Sequence, residues 1–335
     1  MKLSLKSAAA TALLVSCAYL GSQAAWAQDA KSITTVVKIS GIPWFDRMKT
    51  GVDKFATEHP DYKITQVGPA SADSAQQSQI IQDLVAQGVS ALAVVPMDPS
   101  ILEGIFKRAM ERGTIIVTHE ADNQVNTHVD VEAFDNGAYG TALNERLSEC
   151  MKGKGKWTTF VGSLGSRTHM QWVGAGEENA KKFPEMTLVD PNNESFDDAN
   201  ATYEKAKEIL RKHPDIAGFQ TSAGNDVLGV GRAIEEAGLA GKVCLVGTGL
   251  PNPSASYLDS GAITAIGFWD PQKAGMAMNS VAKSLLEGKT ITDGMDLGVE
   301  GYEKVTVTKG AGEGLLVVGN GMVLADKANY KEYLF

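Results

Sequence analysis

Lys38 ends an apolar, β-branched run, where an ammonium is costly without a partner, and Glu120 ends another such run, where it would supply one. Aromatic, hydroxyl and amide residues recur at comparable points along the chain. Trp44 and Phe45 follow Lys38 in Pro43-Trp44-Phe45, Arg167 and His169 flank Thr168, and Ser222 and Asn225 lie in Thr221-Ser222-Ala223-Gly224-Asn225-Asp226. Gly249 follows Thr248, and Trp269 and Asp270 close Phe268-Trp269-Asp270. Carboxylates, Lys and Asn form directional hydrogen bonds with hydroxyls, while a flat ring packs on apolar C–H faces. That mixture suits a neutral polyol held in a cleft closed to water, where charge-assisted bonds are strongest.

Each candidate has a structural alternative. Trp44 and Phe45 open a helix and would serve equally as core, Lys38 with Glu120 would make a structural ion pair, and His169 would be an ordinary residue of a helix N-terminus. Asp226 and Asp270 begin helices and suit capping. Asp98, before Pro99, is expected to cap a helix rather than touch a ligand.

Catalytic and cofactor signatures do not occur. There is no Walker A sequence, and no G-x-G-x-x-G follows the first apolar run; Gly229-Val230-Gly231 falls within a predicted helix. Neither H-E-x-x-H nor paired C-x-x-C occurs, and histidines 59, 119, 128, 169 and 213 lack ligand spacing. His119 and Glu120 are adjacent on a predicted strand, so they are expected to face opposite sides rather than act as an acid–base pair. The reading is therefore a binding protein with no enzyme activity, cofactor or metal. With 31 basic against 40 acidic residues and a formal charge of −9, the chain is a poor partner for nucleic acid.

What positions these residues is a repeated strand–helix alternation. Strands are expected at 33–39, 64–67, 91–95 and 114–118, with helices at 45–59, 74–87 and 99–112. After a long helix at 136–151 and a Lys/Gly turn at 152–156, the series resumes with strands at 157–161, 186–189, 216–220, 243–247 and 263–268. Helices are expected at 168–183, 200–212, 226–236, from 254, and at 271–287, followed by an irregular tail with strand-like stretches at 303–307 and 321–324 that is expected to cross back between the halves. The fold class is α/β, with two doubly wound parallel-sheet domains joined by several crossings. The expected lobes are 28–132 plus 267–300, and 133–266 plus 301–335. In such sheets a ligand lies beyond the carboxyl ends of the strands, where every candidate above sits.

Residues 1–27 read as a secretory signal: Lys2 and Lys6, an apolar stretch shorter than a bilayer span, then Ala25-Trp26-Ala27 before Gln28. A lipobox at Leu14-Val15-Ser16-Cys17, anchoring the chain through Cys17, is the lesser alternative. Export leaves Cys150 and Cys244 in an oxidising compartment. Cys244 lies in a buried strand and Cys150 ends a helix, so two isolated core thiols are expected rather than a disulfide.

With these features the chain resembles the type I periplasmic solute-binding proteins of ABC importers, the pentose and hexose binders. The resemblance is carried by Pro43-Trp44-Phe45, by the Q-G-V-x-A-L-x-V-V-P flow ending at Pro96, and by the N-D…L-G…R-A…A-G helix at 225–238. Within that family it is similar to the branch of rhamnose-binding proteins and autoinducer-2 receptors. The segments concerned are 38–45, Met170-Gln171-Trp172-Val173, Ile266-Gly267-Phe268-Trp269-Asp270 and Gly319-Asn320-Gly321-Met322-Val323-Leu324. In the autoinducer-2 receptors a Lys, an Asp, an Asp-Gln pair, a Pro and an Ala hold the ligand. Here Lys38 matches the first and Glu120 replaces the Asp. Thr168-His169 stands in place of Asp-Gln, and Ser222 and Gly224 fall at the Pro and Ala positions. That departure implies a sugar or sugar alcohol rather than autoinducer-2. The resemblance also implies a monomer in the periplasm that hands its ligand to an inner-membrane permease, with a chemoreceptor as a further partner. Closure of two lobes would bring Lys38, Trp44 and Glu120 against Arg167, His169 and Asn225, and Trp44→Ala or Glu120→Ala is expected to abolish binding without disturbing the fold.

Overall fold

A computed structural model describes residues 31–333 and 335. The signal sequence and the lipobox lie outside the described residues. Two sheets form, each fed by the same strand–helix rhythm. The first lobe contains β1 (Ser32–Val36), α1 (Pro43–Glu58), β2 (Lys63–Val67), α2 (Ser74–Ala86), β3 (Ala91–Val94), α3 (Pro99–Glu111), β4 (Ile115–His119) and β5 (Val129–Glu132). The second contains α4 (Asn136–Met151), β6 (Lys154–Val161), α5 (Arg167–Ala180), β7 (Glu185–Leu188), β8 (Asn193–Glu194), α6 (Ala199–Lys212), β9 (Ile216–Thr221) and α7 (Asp226–Glu236). It continues with β10 (Cys244–Thr248), α8 (Pro251–Ser260) and β11 (Ala265–Phe268). The chain then returns through α9 (Pro271–Leu286), β12 (Thr306–Lys309), β13 (Leu315–Val318) and β14 (Val323–Asp326).

The strand orders are β12-β13-β5-β4-β3-β1-β2 and β14-β11-β10-β9-β6-β7, with β8 beside β6. The β12–β13 and β11–β14 pairs are antiparallel and every other pair is parallel. Parallel strands covered on both faces read as continuous apolar runs, which is why β1, β3 and β10 were visible in the sequence. Three strands were not. β5 alternates Val129-Asp130-Val131-Glu132 yet is buried throughout, β8 has two residues, and β13 lies in the irregular tail. The strand β6 also begins at Lys154, inside the expected turn.

The expected lobe division fails in the tail. The strand β13 pairs with β5, Leu315 opposite Val129, and brings β12 with it into the first sheet, so of residues 301–335 only the stretch carrying β14 joins the second. An open edge at β5 would leave buried backbone groups without partners, and β13 supplies them. The chain thus crosses between lobes at 133–135, at 269–270 and at 319–322. The first and third crossings are stitched together by Gly319 N–H donating to Glu132 O and Gly321 N–H to Ala133 O, while Asn320 N–H donates to Gly301 O.

Helix starts follow local chemistry. Asp98 accepts from Ser100 N–H at 2.9 Å, as expected of a cap, and Asp198 and Asp270 cap α6 and α9 in the same way. In the second lobe, α4 meets α5 so closely that a Cβ on Gly140 would lie 2.3 Å from Trp172 O. The cysteine expectation is corrected here. Cys150 and Cys244 form a disulfide with their Cα atoms 6.0 Å apart, because α4 lies across the second sheet and sets its last turn over the start of β10. A buried strand position does not reveal which helix covers it.

Candidate functional site

The carboxyl ends of the two sheets face one another across a shut cleft, and a cavity lies between them. The first lobe lines it with Lys38, Ile42, Trp44, Phe45 and Glu120, the second with His169, Trp172, Asp197, Ser222, Gly224 and Thr248, and the crossing with Trp269. About 300 Å³ between these walls is free of protein atoms, part of it open to solvent, and only about 20 Å³ is wide enough for the centre of a water molecule. A sugar-sized guest therefore enters only when the lobes part.

Lys38 Nζ and Glu120 Oε2 are 2.5 Å apart, with side chains 3% and 4% exposed. Burial pushes the Glu120 carboxyl up, but the Lys38 ammonium outweighs it and holds the group below its ordinary value. Glu120 has a left-handed backbone, φ 59°, so strand alternation no longer applies and its Oε1 comes to 3.8 Å from His119 Nε2. The expectation that these neighbours face opposite sides is thus corrected: it holds only for extended chain. His119 is fixed as a structural group by Nδ1–H donating to Val131 O at 2.5 Å. Thr168, from the other lobe, donates to Glu120 Oε2 at 3.3 Å.

His169 is uncharged. Gly162 N–H donates to its Nδ1 at 3.1 Å, which places the imidazole proton on Nε2, and burial with the nearby Lys38 charge holds its pKa down to about 3. A Cβ on Gly162 would lie 2.7 Å from Asp197 Oδ2 and 2.9 Å from the His169 ring, so only glycine leaves room for both. Asp197 is 5% exposed, and its Oδ2 has no hydrogen-bond partner. Burial pushes its carboxyl up to about 6, with Lys38 pulling down and Glu120 pushing up.

The apolar part is an aromatic cluster. Trp44 meets Trp269 edge-on at 4.6 Å, Trp269 meets Trp172 at 5.8 Å, and His169 lies 5.3 Å from Trp172. Trp172 Nε1–H donates to Asn136 Oδ1, whereas Trp269 Nε1 has no partner.

Of the residues singled out from the sequence, Lys38, Trp44, Phe45, Glu120, His169, Ser222 and Trp269 come together here. The other four lie elsewhere. Arg167 Nε donates to Asp122 Oδ1 at 2.7 Å, and Gln171 donates to the other oxygen, which makes a clasp between the lobes. Asn225 donates to Asp197 O and so braces that loop. Gly249 packs towards Val227 and Ser254. Asp270 caps α9 and takes a two-pronged ion pair from Arg47, beside a larger hinge-side hollow of about 1380 Å³. Asp197 was missed. Its one sequence signal is the doubled acid Asp197-Asp198 before a helix, where a single acid suffices as cap.

The comparisons with known proteins match the two-lobed fold that carries this cavity. Residues 33–290 match the periplasmic binding protein domain. The chain belongs to this family. Among curated relatives, a D-ribose/D-allose-binding protein of Pseudomonas aeruginosa is 26% identical over 77% of this chain and 83% of its own length. The D-allose-binding periplasmic protein of Escherichia coli is 25% identical over 73% and 81%. Among solved structures of this fold, LsrB from Clostridium saccharobutylicum in complex with AI-2 superposes with a TM-score of 0.82 at 21% identity, covering 91% of this chain and 100% of that one. An ABC transporter solute-binding protein from Clostridium phytofermentas with bound L-rhamnose gives 0.82 at 20% identity, covering 91% and 98%. As in these periplasmic binding proteins, the fold here is two parallel-sheet α/β lobes.

Proposed function

We propose that this chain is the exported solute-binding component of an ABC importer, which captures a small neutral carbohydrate by closing two lobes and passes it unaltered to an inner-membrane permease. The carrying observation is the cavity itself: both lobes contribute polar groups to it, and aromatic rings of both lobes and the crossing form its apolar wall. Only a guest touching both halves shifts the balance between open and closed forms. The names of the curated relatives, ribose and allose binders, support a monosaccharide or sugar alcohol. Catalysis is disfavoured because Lys38 and Glu120 neutralise one another and His169 Nδ1 is already taken by a backbone N–H. The Cys150–Cys244 bridge fits an oxidising compartment such as the periplasm.

The test is a thermal-shift screen over pentoses, hexoses, deoxyhexoses, sugar alcohols and autoinducer-2, followed by calorimetric titration of the compounds that stabilise. One or a few neutral carbohydrates should raise the melting temperature through mass action and be recovered unchanged. If nothing in the panel stabilises the parent, or the bound sugar is recovered as a product, the reading fails.

A further inference from the structure

We propose that Asp197 sets the chemical class of the guest: an uncharged carbohydrate that donates a hydroxyl hydrogen to this carboxylate, with acidic and phosphorylated sugars turned away. The inference rests on the carbohydrate reading and sharpens it.

The loop between β8 and α6 is shaped to present this residue. Phe196 and Asp197 both have φ of 55°, a left-handed conformation costly for Phe and better tolerated by Asp, and Asn225 fastens the loop by donating to Asp197 O. The adjacent Asp198 does the capping of α6, so Asp197 is not needed for that task. It lines the cavity, is 95% buried by its 5% exposure, and Oδ2 receives no hydrogen bond. A buried carboxylate oxygen left without a donor is expensive, and a ligand hydroxyl would supply a charge-assisted bond.

The surrounding charges give the sign. Lys38 is the single cationic side chain in the lining among the described residues, and Glu120 already neutralises it. His169 is uncharged, and Arg167 is held outside the cavity by Asp122. Behind Asp197 lies a further acid, Asp226, which accepts from Ala223 N–H and from Thr202. An anionic guest would therefore meet an unneutralised carboxylate with no spare cation to receive it. A hydroxyl-bearing neutral guest completes the hydrogen bonding.

The experiment titrates the parent and Asp197→Asn with a neutral sugar that stabilises the parent, with the aldonate of that sugar and with its phosphate ester, at pH 5, 6, 7 and 8. The parent should prefer the neutral sugar over both anions by about 100-fold or more, as expected when a buried polar group would be left mismatched. Asp197→Asn, of nearly the same shape, should lose about tenfold or more for the neutral sugar and reject the anions less strongly. Affinity of the parent should fall as pH drops through about 6, where Asp197 takes up a proton, while the Asn variant shows less of this change. Glu120 is held ionised by Lys38 and His169 remains neutral across that range, whereas Asp226, pushed up to about 7 by burial and by Asp197, also titrates there, so the part due to Asp197 is read from the difference between parent and Asn variant. If the parent binds the aldonate as well as the sugar, or Asp197→Asn keeps both affinity and discrimination, this inference is overturned while the carbohydrate reading stands. If the parent binds no neutral carbohydrate, the carbohydrate reading falls and takes the inference with it.

Discussion

The two walls of the cavity are built on opposite electrostatic plans. On the first-lobe side the charges are already matched: Lys38 and Glu120 are locked at 2.5 Å, both buried. The second-lobe side offers an uncharged imidazole, two hydroxyls and one carboxylate whose Oδ2 lacks a donor. A wall whose polar groups satisfy one another is rigid before any ligand arrives, whereas a wall with an unmet acceptor is completed by what binds to it. On the proposed reading, the first lobe supplies a preformed platform and the second supplies selectivity. The same contrast extends to covalent bracing, since the second lobe carries the Cys150–Cys244 bridge.

The sharpest way to break that contrast is to unmatch the first wall. Glu120→Ala should strand a buried ammonium, abolish ligand binding and lower stability by about 3–5 kcal/mol, read by urea denaturation and calorimetric titration. The sequence alone leads to an intact fold for this variant; the burial of the pair argues against that. Next, replacing Cys150 and Cys244 together by Ala opens a loop closed across a sequence separation of 94 residues and should cost about 2–5 kcal/mol. Hydrogen exchange should show the loss concentrated in β10 and α4, and a loss spread evenly over both lobes would contradict separate bracing.

A third test concerns acids buried within the first lobe. Burial pushes the Asp130 carboxyl up to about 7, against the Thr118 hydroxyl that donates to it, and pushes Glu132 on the same strand face well up, with Asp130 adding to the rise. A group protonated in the folded chain but ionised in the unfolded one stabilises fully below about pH 4 and loses that contribution as pH rises through about 7. Asp130→Asn should therefore flatten the fall in melting temperature between pH 5 and pH 8. Buried His119 and His169, whose pKa values are lowered, act with the opposite sign below pH 6.5, so the quantity to compare is the difference between parent and variant.

The smallest expected effect is at the clasp. Asp122→Ala removes the contacts to Arg167 and Gln171 but touches nothing in the cavity lining. It should weaken apparent affinity by about three- to tenfold, through faster dissociation in stopped-flow measurements, because the closed form loses population while the ligand contacts remain. An unchanged dissociation rate would show that the clasp does not hold the lobes together.

Much of this was legible in one dimension. Continuous apolar strands alternating with amphipathic helices announce parallel sheets, and the rule that ligands lie beyond the strand ends selected Lys38, Trp44, Phe45, Glu120, His169, Ser222 and Trp269, all of which line the cavity. Arg167, Asn225, Gly249 and Asp270 satisfy the same rule yet lie elsewhere, because a strand end is wider than a ligand and its residues divide between cavity, clasp, loop support and helix cap. Sequence order could not divide them.

What the order of residues determined by itself was local: periodicity, caps such as Asp98, and the residue types gathered at each strand end. Pairings between distant segments were decided only in three dimensions. β13 joined β5, Cys150 met Cys244, Asp122 took Arg167 from the opposite lobe, and Asp197 came to line the cavity with one oxygen unpartnered. The physical reason is that a side chain's hydrogen-bond and charge partners are set by which elements pack together, and that depends on the burial of whole faces rather than on neighbours along the chain.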